Sequence, residues 1–265
     1  MLKDLTILVR GAGEMATGVA HRLFRAHFKI CLTDTANPQA VRRGVAFSEA
    51  VYDGEKEVEG AVARLIKSHG EITDVWKAGE IPLLIDPEAK VKSFLKPDVL
   101  IDAILAKENL GTKITDASFV IGLGPGFYAG RDVHVVIETN RGHNLGRSIL
   151  EGEAEPNTGF PGVIAGADKE RVLRAPAAGI LVTNKVIGDM VKSGDEVLSV
   201  EGLPVKAAIS GVIRGLLRDG ASVHKGMKLG DIDPRGIKEY CYTISDKART
   251  ISGGVLEAIL ARFAE

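Results

Sequence analysis

Gly11, Gly13 and Ala16, in the run Arg10-Gly11-Ala12-Gly13-Glu14-Met15-Ala16-Thr17-Gly18, have the spacing of a loop that holds phosphate. The first glycine permits a tight turn after a strand. The second lets a phosphate reach the backbone, and small Ala16 lets the following helix pack close to the strand. Unpaired amide N–H groups and the helix dipole at such a helix start favour an anion. Asp34 closes the next apolar run, where a carboxylate can accept from ribose hydroxyls. Glu14 stands at the helix mouth and repels a pyrophosphate if it turns inward. The same pattern also reads as a Rossmann-type domain without a nucleotide.

Three more clusters carry chemistry. Asp102 interrupts the run Val99-Leu100-Ile101, and Lys107, Asn109 and Thr112 follow it. At the carboxyl end of a strand they would face the crevice where open α/β sheets bind ligands; an ion pair followed by a turn is the competing reading. Gly122-Leu123-Gly124-Pro125-Gly126-Phe127 is a second glycine loop, either an anion-binding nest or a strand-to-strand turn. Glu138-Thr139-Asn140-Arg141-Gly142-His143 packs a carboxylate, an amide, a guanidinium and an imidazole together. Arg141 can fork onto a phosphate or carboxylate, and His143 can move a proton near neutral pH. The expected binding set is therefore Gly11, Gly13, Ala16, Asp34, Asn109, Gly124, Gly126, Glu138, Asn140 and Arg141. His143, Asp102 and Lys107 are the candidates for catalysis. No metal centre is expected, because no ligand set stands at metal-binding spacing.

Strands must carry these groups to one place. Leu5 to Val9 reads as a buried strand, Glu14 to His27 as a helix with Met15, Val19, Leu23 and Phe24 on one stripe, and Lys29 to Thr33 as a second strand. That is one βαβ unit. Ser48 to Ala61 can hold a short strand. Ile81 to Pro87 reads as a strand with Pro82 at a sheet edge or strand start. Asp98–Leu105, Phe119–Leu123 and Val133–Glu138 are further apolar runs with polar ends. The pattern predicts a Rossmann-like, mostly parallel sheet. Residues 142–168 read as a functional loop or an interdomain crossing, with Asn157-Thr158-Gly159 as a turn. Ser245 to Phe263 reads as a turn interrupted at Ser252-Gly253-Gly254, which can also receive an anion, leading into a helix.

Composition narrows the function. Lys plus Arg number 34 against 35 Asp plus Glu, for a formal charge of −1. Such a chain has no global field for nucleic acid or an anionic membrane, so neither is an expected partner. Hydrophobic residues make up 45% and aromatics 5%, which predicts an aliphatic core. Cys31 and Cys241 make no disulfide framework. Cys31 reads as a buried strand residue, while Cys241 stays open as a reactive thiol. The first residues lack a signal-peptide pattern, and no apolar run approaches the ~20 residues that span a bilayer. The cytoplasm is the default compartment.

Beyond Arg171 short strands and glycine turns take over. Ala178-Gly179-Ile180-Leu181, Ile187-Gly188-Asp189-Met190-Val191-Lys192-Ser193-Gly194 and Val197-Leu198 are matched, roughly 32 residues later, by Ser210-Gly211-Val212-Ile213, Asp219-Gly220-Ala221-Ser222-Val223-His224-Lys225-Gly226 and Lys228-Leu229. The repeat predicts a quasi-twofold barrel. Three parts result: a nucleotide- or cofactor-binding domain over 1–168, a barrel over 169–238, and a helical segment over 239–265 that packs on the first domain.

Long motifs carry a family resemblance: RGAGEMATGVAHRL at 10–23, RRGVAFSEAVYDG at 42–54, DAILAKENLGT at 102–112, IGLGPGFYAG at 121–130, VIETNRGHNLGR at 136–147, EPNTGFPG at 155–162, DIDPR at 231–235 and SDKARTISGGVLEAIL at 245–260. The chain resembles the selenium-dependent molybdenum hydroxylase accessory family, the YqeB-like proteins. The GLGPGF and ETNRGH stretches also resemble XdhC-type chaperones, which insert and sulfurate molybdenum cofactor. The resemblance implies a maturation role, with a molybdenum hydroxylase as protein partner and molybdenum cofactor or a nucleotide such as NAD(P) as the phosphate-bearing ligand. It transfers no established catalytic residue. An NAD(P)-dependent oxidoreductase and a non-enzymatic docking protein remain the alternatives, and a homo-oligomer is compatible with either. The barrel resembles biotinyl and lipoyl domains but departs at the modification site. Its hairpin reads Val200-Glu201-Gly202-Leu203-Pro204-Val205-Lys206, with Lys206 past the turn, so neither biotin nor lipoate is expected.

Overall fold

The computed structural model describes residues 2–157, 159 and 162–264. The chain divides into two compact units. The first takes residues 1–38, 46–157 and 244–265, and the second 39–45 and 158–243.

In the first unit, β1 (Thr6–Arg10) runs through a glycine turn into α1 (Glu14–Arg25) and on to β2 (Lys29–Asp34). Next come α2 (Ala50–Asp53), β3 (Glu55–Val58), β4 (Ala61–Ile66), α3 (Ile72–Lys77), β5 (Ile81–Ile85), α4 (Lys92–Leu95), β6 (Val99–Asp102), β7 (Phe119–Leu123), β8 (Tyr128–Ala129), β9 (Val135–Ile137), β10 (Ser148–Ile149) and β11 (Gly152–Glu153). The long helix α5 (Asp246–Phe263) returns to this unit from the far end of the chain. Nine strands form one sheet in the order β10-β9-β7-β6-β1-β2-β5-β4-β3. Its central pairs are parallel, while β3–β4 at one edge and β10–β9 at the other are antiparallel.

This corrects the expected Rossmann-like fold to a large mixed sheet. A doubly wound sheet needs helical crossovers. The segments from β6 to β7 and from β7 to β9 contain no helix. Pro82 falls at the start of its strand, as the second residue of β5, and not at a sheet edge, since β5 lies between β2 and β4. Residues 48–61 supply a helical turn at α2 before β3, rather than a strand alone.

The strands are apolar on both faces because both are covered. Leu8, Cys31, Leu84, Leu100, Val120 and Val136 belong to one buried layer with Ile72 and Val75 of α3, and with Phe127, Ala129 and Ala154. Burying each such aliphatic side chain contributes roughly 1.5–3 kcal/mol. Elsewhere in the unit, α1 packs on α5. A methyl group on Gly18 would come within 2.8 Å of the Ala248 side chain. Arg22 Nε donates to Ser252 Oγ at 2.8 Å. Ser245 caps α5 by accepting from the Ala248 amide. The expected turn at Ser252-Gly253-Gly254 is therefore helix interior, and Gly254 is small because the Gly146 carbonyl lies against it.

The second unit holds β12 (Val172–Arg174), β13 (Gly179–Val182), β14 (Met190–Val191), β15 (Glu196–Val200), β16 (Leu203–Lys206), β17 (Gly211–Leu216), β18 (Ser222–Val223) and β19 (Lys228–Asp233). They form two four-stranded antiparallel sheets, β12-β19-β17-β14 and β16-β15-β13-β18, in place of the expected biotinyl/lipoyl-like barrel. The sequence repeat is realised as an exchange: each half places its two-residue strand in the sheet of the other. Residues 39–45 belong here because the Leu216 amide donates to the Val41 carbonyl at 2.8 Å and Arg43 Nε donates to the Leu216 carbonyl at 2.6 Å. Such a join leaves no local sequence signal, so the boundary expected at 168 and the terminal segment expected from 239 both shift. In the DIDPR motif, Asp231 pairs with Arg171 and buried Asp233 with Arg235. The EPNTGFPG motif and the turn at Asn157-Thr158-Gly159 fall partly outside the described residues. Among those residues no helix is long and apolar enough to cross a membrane.

Candidate functional site

The first unit gathers its polar loops at the carboxyl ends of β1, β6, β7 and β9. After β1, Gly11 adopts φ 93° and donates its amide to the Thr33 carbonyl at 2.8 Å. A side chain there would press on the Ala103 carbonyl at 3.1 Å, so this loop lies against the end of β6. Ala12 donates its amide to Asp34 Oδ2 at 3.0 Å, and Thr35 donates to Oδ1 at 2.7 Å. Asp34 thus braces the glycine loop. Burial pushes its carboxyl pKa up, and the two amide bonds oppose that shift. Thr17 Oγ donates to the Ala12 carbonyl at 3.1 Å, and the Ser48 amide donates to the same oxygen at 2.8 Å. The rest of the turn is open. Gly13 precedes α1 as its N-cap residue and supplies no side-chain cap, and among the described residues no atom of another segment lies within 4 Å of where its side chain would stand. Ala16 is buried one turn further on.

Asp102 lies in a buried ion pair. Its Oδ2 accepts from Arg10 Nη1 at 3.1 Å and from Thr112 Oγ at 2.6 Å, and its Oδ1 accepts from the Ile104 amide at 3.2 Å. Arg10 also donates to Thr112 Oγ and to the Pro87 carbonyl. Asn109 folds its own loop, accepting from the Gly111 and Thr112 amides at 2.9 and 2.8 Å. Lys107 is exposed at φ 70°. These placements give Asp102 and Asn109 structural roles.

The second glycine loop is packed shut against its neighbours. A side chain on Gly126 would come within 2.7 Å of the Glu108 amide nitrogen, and one on Gly124 would collide with Thr139 Oγ. Glu138 is buried, accepting from the Asn140 amide at 2.7 Å and the Glu155 amide at 2.8 Å. Asn140 donates to Glu155 at 2.6 Å. Arg141 forks onto Asp246, the first residue of α5, with bonds of 2.7 and 2.9 Å. His143 is exposed.

Lys247 ties these segments together, and nothing in its local sequence singled it out. It is half-buried. Burial and the neighbouring Arg141 cation push its pKa down, while the carboxylates of Glu14, Glu138 and Asp246 pull it back. Positions 14 and 18 share a face of α1, and Gly18 abuts Ala248, so α5 brings Lys247 over the mouth of α1. The loops at 11, 103–112, 124–126 and 138–141, together with residues 246 and 247, are thus contiguous. Both cysteines lie apart from this chemistry. Burial pushes the Cys31 thiol up to about 12, and buried Cys241 is likewise raised. Among the described residues, no cluster of His, Cys, Asp and Glu could hold a metal ion.

No family model matches the chain. Over 254 residues it is 50% identical to a protein of Escherichia coli (strain K12) described as uncharacterized protein YqeB. The chain is YqeB-like. The alignment takes in 96% of this YqeB-like chain and 47% of that relative, so the chain spans about half the relative's length. Three solved structures overlap it weakly. The product-bound ectoine utilization protein EutE (DoeB) from Ruegeria pomeroyi is 12% identical with a TM-score of 0.27, covering 86% of this chain and 85% of that one. An aspartoacylase family protein from Mesorhizobium loti is 11% identical with a TM-score of 0.26, covering 86% and 84%. A succinylglutamate desuccinylase from a Silicibacter species is 14% identical with a TM-score of 0.25, covering 86% and 84%. Overlaps this low carry no argument about chemistry.

Proposed function

We propose that this chain is an accessory protein in the maturation of a selenium-dependent molybdenum hydroxylase. It carries the phosphate-bearing end of molybdenum cofactor, or of a nucleotide, in the crevice at the carboxyl ends of β1, β6, β7 and β9. The observation that carries the ligand class is the uncapped start of α1, open at Gly13, with Lys247 beside it. Amide N–H groups and the helix dipole attract an anion there, and a half-buried ammonium strengthens the attraction. The maturation role rests on the resemblance of the long motifs to molybdenum hydroxylase accessory and XdhC-type proteins. An NAD(P)-dependent oxidoreductase is less well supported, because Asp34 already accepts two backbone amides and Asp102 sits in an ion pair.

Thermal unfolding with inorganic pyrophosphate, CTP, NAD, NADP and purified molybdenum cofactor tests the reading. A ligand at a hundred times its dissociation constant adds about 2.7 kcal/mol of stability. Stabilisation by molybdenum cofactor or CTP is the expected result. Stabilisation by NAD or NADP alone would favour the oxidoreductase, and no response to any of the five would overturn the ligand class.

A further inference from the structure

We propose that Asp246 is an internal stand-in for the ligand's phosphate on Arg141, held there until the ligand displaces it. The inference rests on the phosphate-binding reading above and adds to it an exchange step at the same site.

A carboxylate and a phosphate present the same paired oxygens to a guanidinium fork. Arg141 Nη1 and Nη2 donate to the two oxygens of Asp246 at 2.7 and 2.9 Å, the bidentate arrangement a phosphate would take. The pair is partly open to water, with side-chain exposures of 35% for Arg141 and 72% for Asp246. Water screens an exposed pair of this kind, so a more highly charged ligand can compete with the carboxylate for the guanidinium. The released carboxylate keeps a favourable place, because Asp246 is in the first turn of α5, where the helix dipole favours an anion.

The loop beneath is built to stay while the side chain moves. Glu138 accepts from the Asn140 and Glu155 amides, and the Gly146 amide donates to the Glu138 carbonyl at 2.9 Å. Arg141 follows directly on this anchored stretch. Lys247, next to Asp246 in sequence and close to Arg141 in charge, supplies a second cation for the arriving phosphate. Asp246 thus keeps the guanidinium aimed and lowers the mutual repulsion of the two cations while no ligand is present.

Calorimetric titration with inorganic pyrophosphate tests this on the full chain, using Asp246→Asn, Arg141→Ala, Arg141→Lys and the double variant Asp246→Asn/Arg141→Ala. Circular dichroism checks that each variant is folded. Asp246→Asn is expected to tighten pyrophosphate by about fivefold, the equivalent of releasing a pair worth up to ~1 kcal/mol. Arg141→Ala is expected to weaken binding, with Arg141→Lys between it and the parent. In the double variant the gain from Asp246→Asn should vanish. A gain of equal size in the Arg141→Ala background would reduce Asp246 to a general negative charge and overturn the exchange while leaving the phosphate site intact. Unchanged affinity in Asp246→Asn, with the parent binding pyrophosphate, overturns it as well. If neither the parent nor Asp246→Asn binds, the site and the exchange fall together.

Discussion

Arg10 and Asp102 occupy matching positions on the neighbouring parallel strands β1 and β6, and their side chains form a buried ion pair. Both side chains are nearly sealed from water, at 6% and 2% exposure. Removing one partner strands the other charge in a poor solvent. Asp102→Ala is therefore expected to cost about 3–5 kcal/mol of unfolding free energy, whereas replacing both residues by leucine costs much less. Urea denaturation of the two variants checks this. A mild Asp102→Ala with abolished ligand binding would return Asp102 to the functional list.

Gly126 faces the Glu108 backbone at φ 109°. A side chain there meets strain and collision together. Gly126→Ala is expected to lose about 1–3 kcal/mol, with the loss localised to the loops at 103–112 and 122–127. Amide hydrogen exchange on the folded protein reads the locality. Wild-type protection in both loops would show that their close approach is not what the glycine serves.

Much of the frame is legible along the chain, and much of the site is not. Gly11, Gly13 and the run from Met15 to Leu23 announce a strand–turn–helix because their reasons are local: a positive φ, small residues and helical spacing. The apolar runs of β6, β7 and β9 are legible in the same way. What sequence cannot show is which partner a polar group meets. Asp34 reads as a ligand to ribose, yet it accepts from the Ala12 amide. Gly124 and Gly126 read equally as an anion nest or a strand-to-strand turn, and only the fold shows that they make room for Thr139 and Glu108. Lys247 carries no local signal, because α5 reaches the mouth of α1 from the other end of the chain. The apolar runs that suggest a Rossmann-like sheet say nothing of what joins them, and the segments between β6, β7 and β9 contain no helix.

Gly18 sets how closely α1 and α5 approach. A valine there would collide with Ala248, whose backbone carbonyl also lies within reach at 3.2 Å. Gly18→Val is expected to destabilise the protein by about 1–3 kcal/mol despite the poor helix propensity of glycine. It should also weaken pyrophosphate binding by displacing Lys247. A thermal melt paired with the titration separates the two effects, and an unaffected affinity in a destabilised protein would detach Lys247 from the site.

Lys247 gives a pH signature. Its folded-state pKa lies below the ordinary lysine value of 10.5 because of burial and Arg141. The unfolded chain then holds the proton more tightly, so the charged group opposes folding at neutral pH. That penalty fades as pH rises from the lowered value towards 10.5. Lys247→Met is expected to raise stability at neutral pH and to flatten the gain between there and alkaline pH. Parallel stability curves for parent and variant would place Lys247 in ordinary solvent.

The most direct test of the central claim is residue-resolved. Backbone amide NMR of the labelled protein, titrated with inorganic pyrophosphate and then with molybdenum cofactor, reports where an anion settles. The account predicts saturable shifts at Gly13, Glu14, Met15, Arg141 and Lys247, with the amides of the two four-stranded sheets unmoved. Saturable shifts confined to other residues, or none at all, would contradict it.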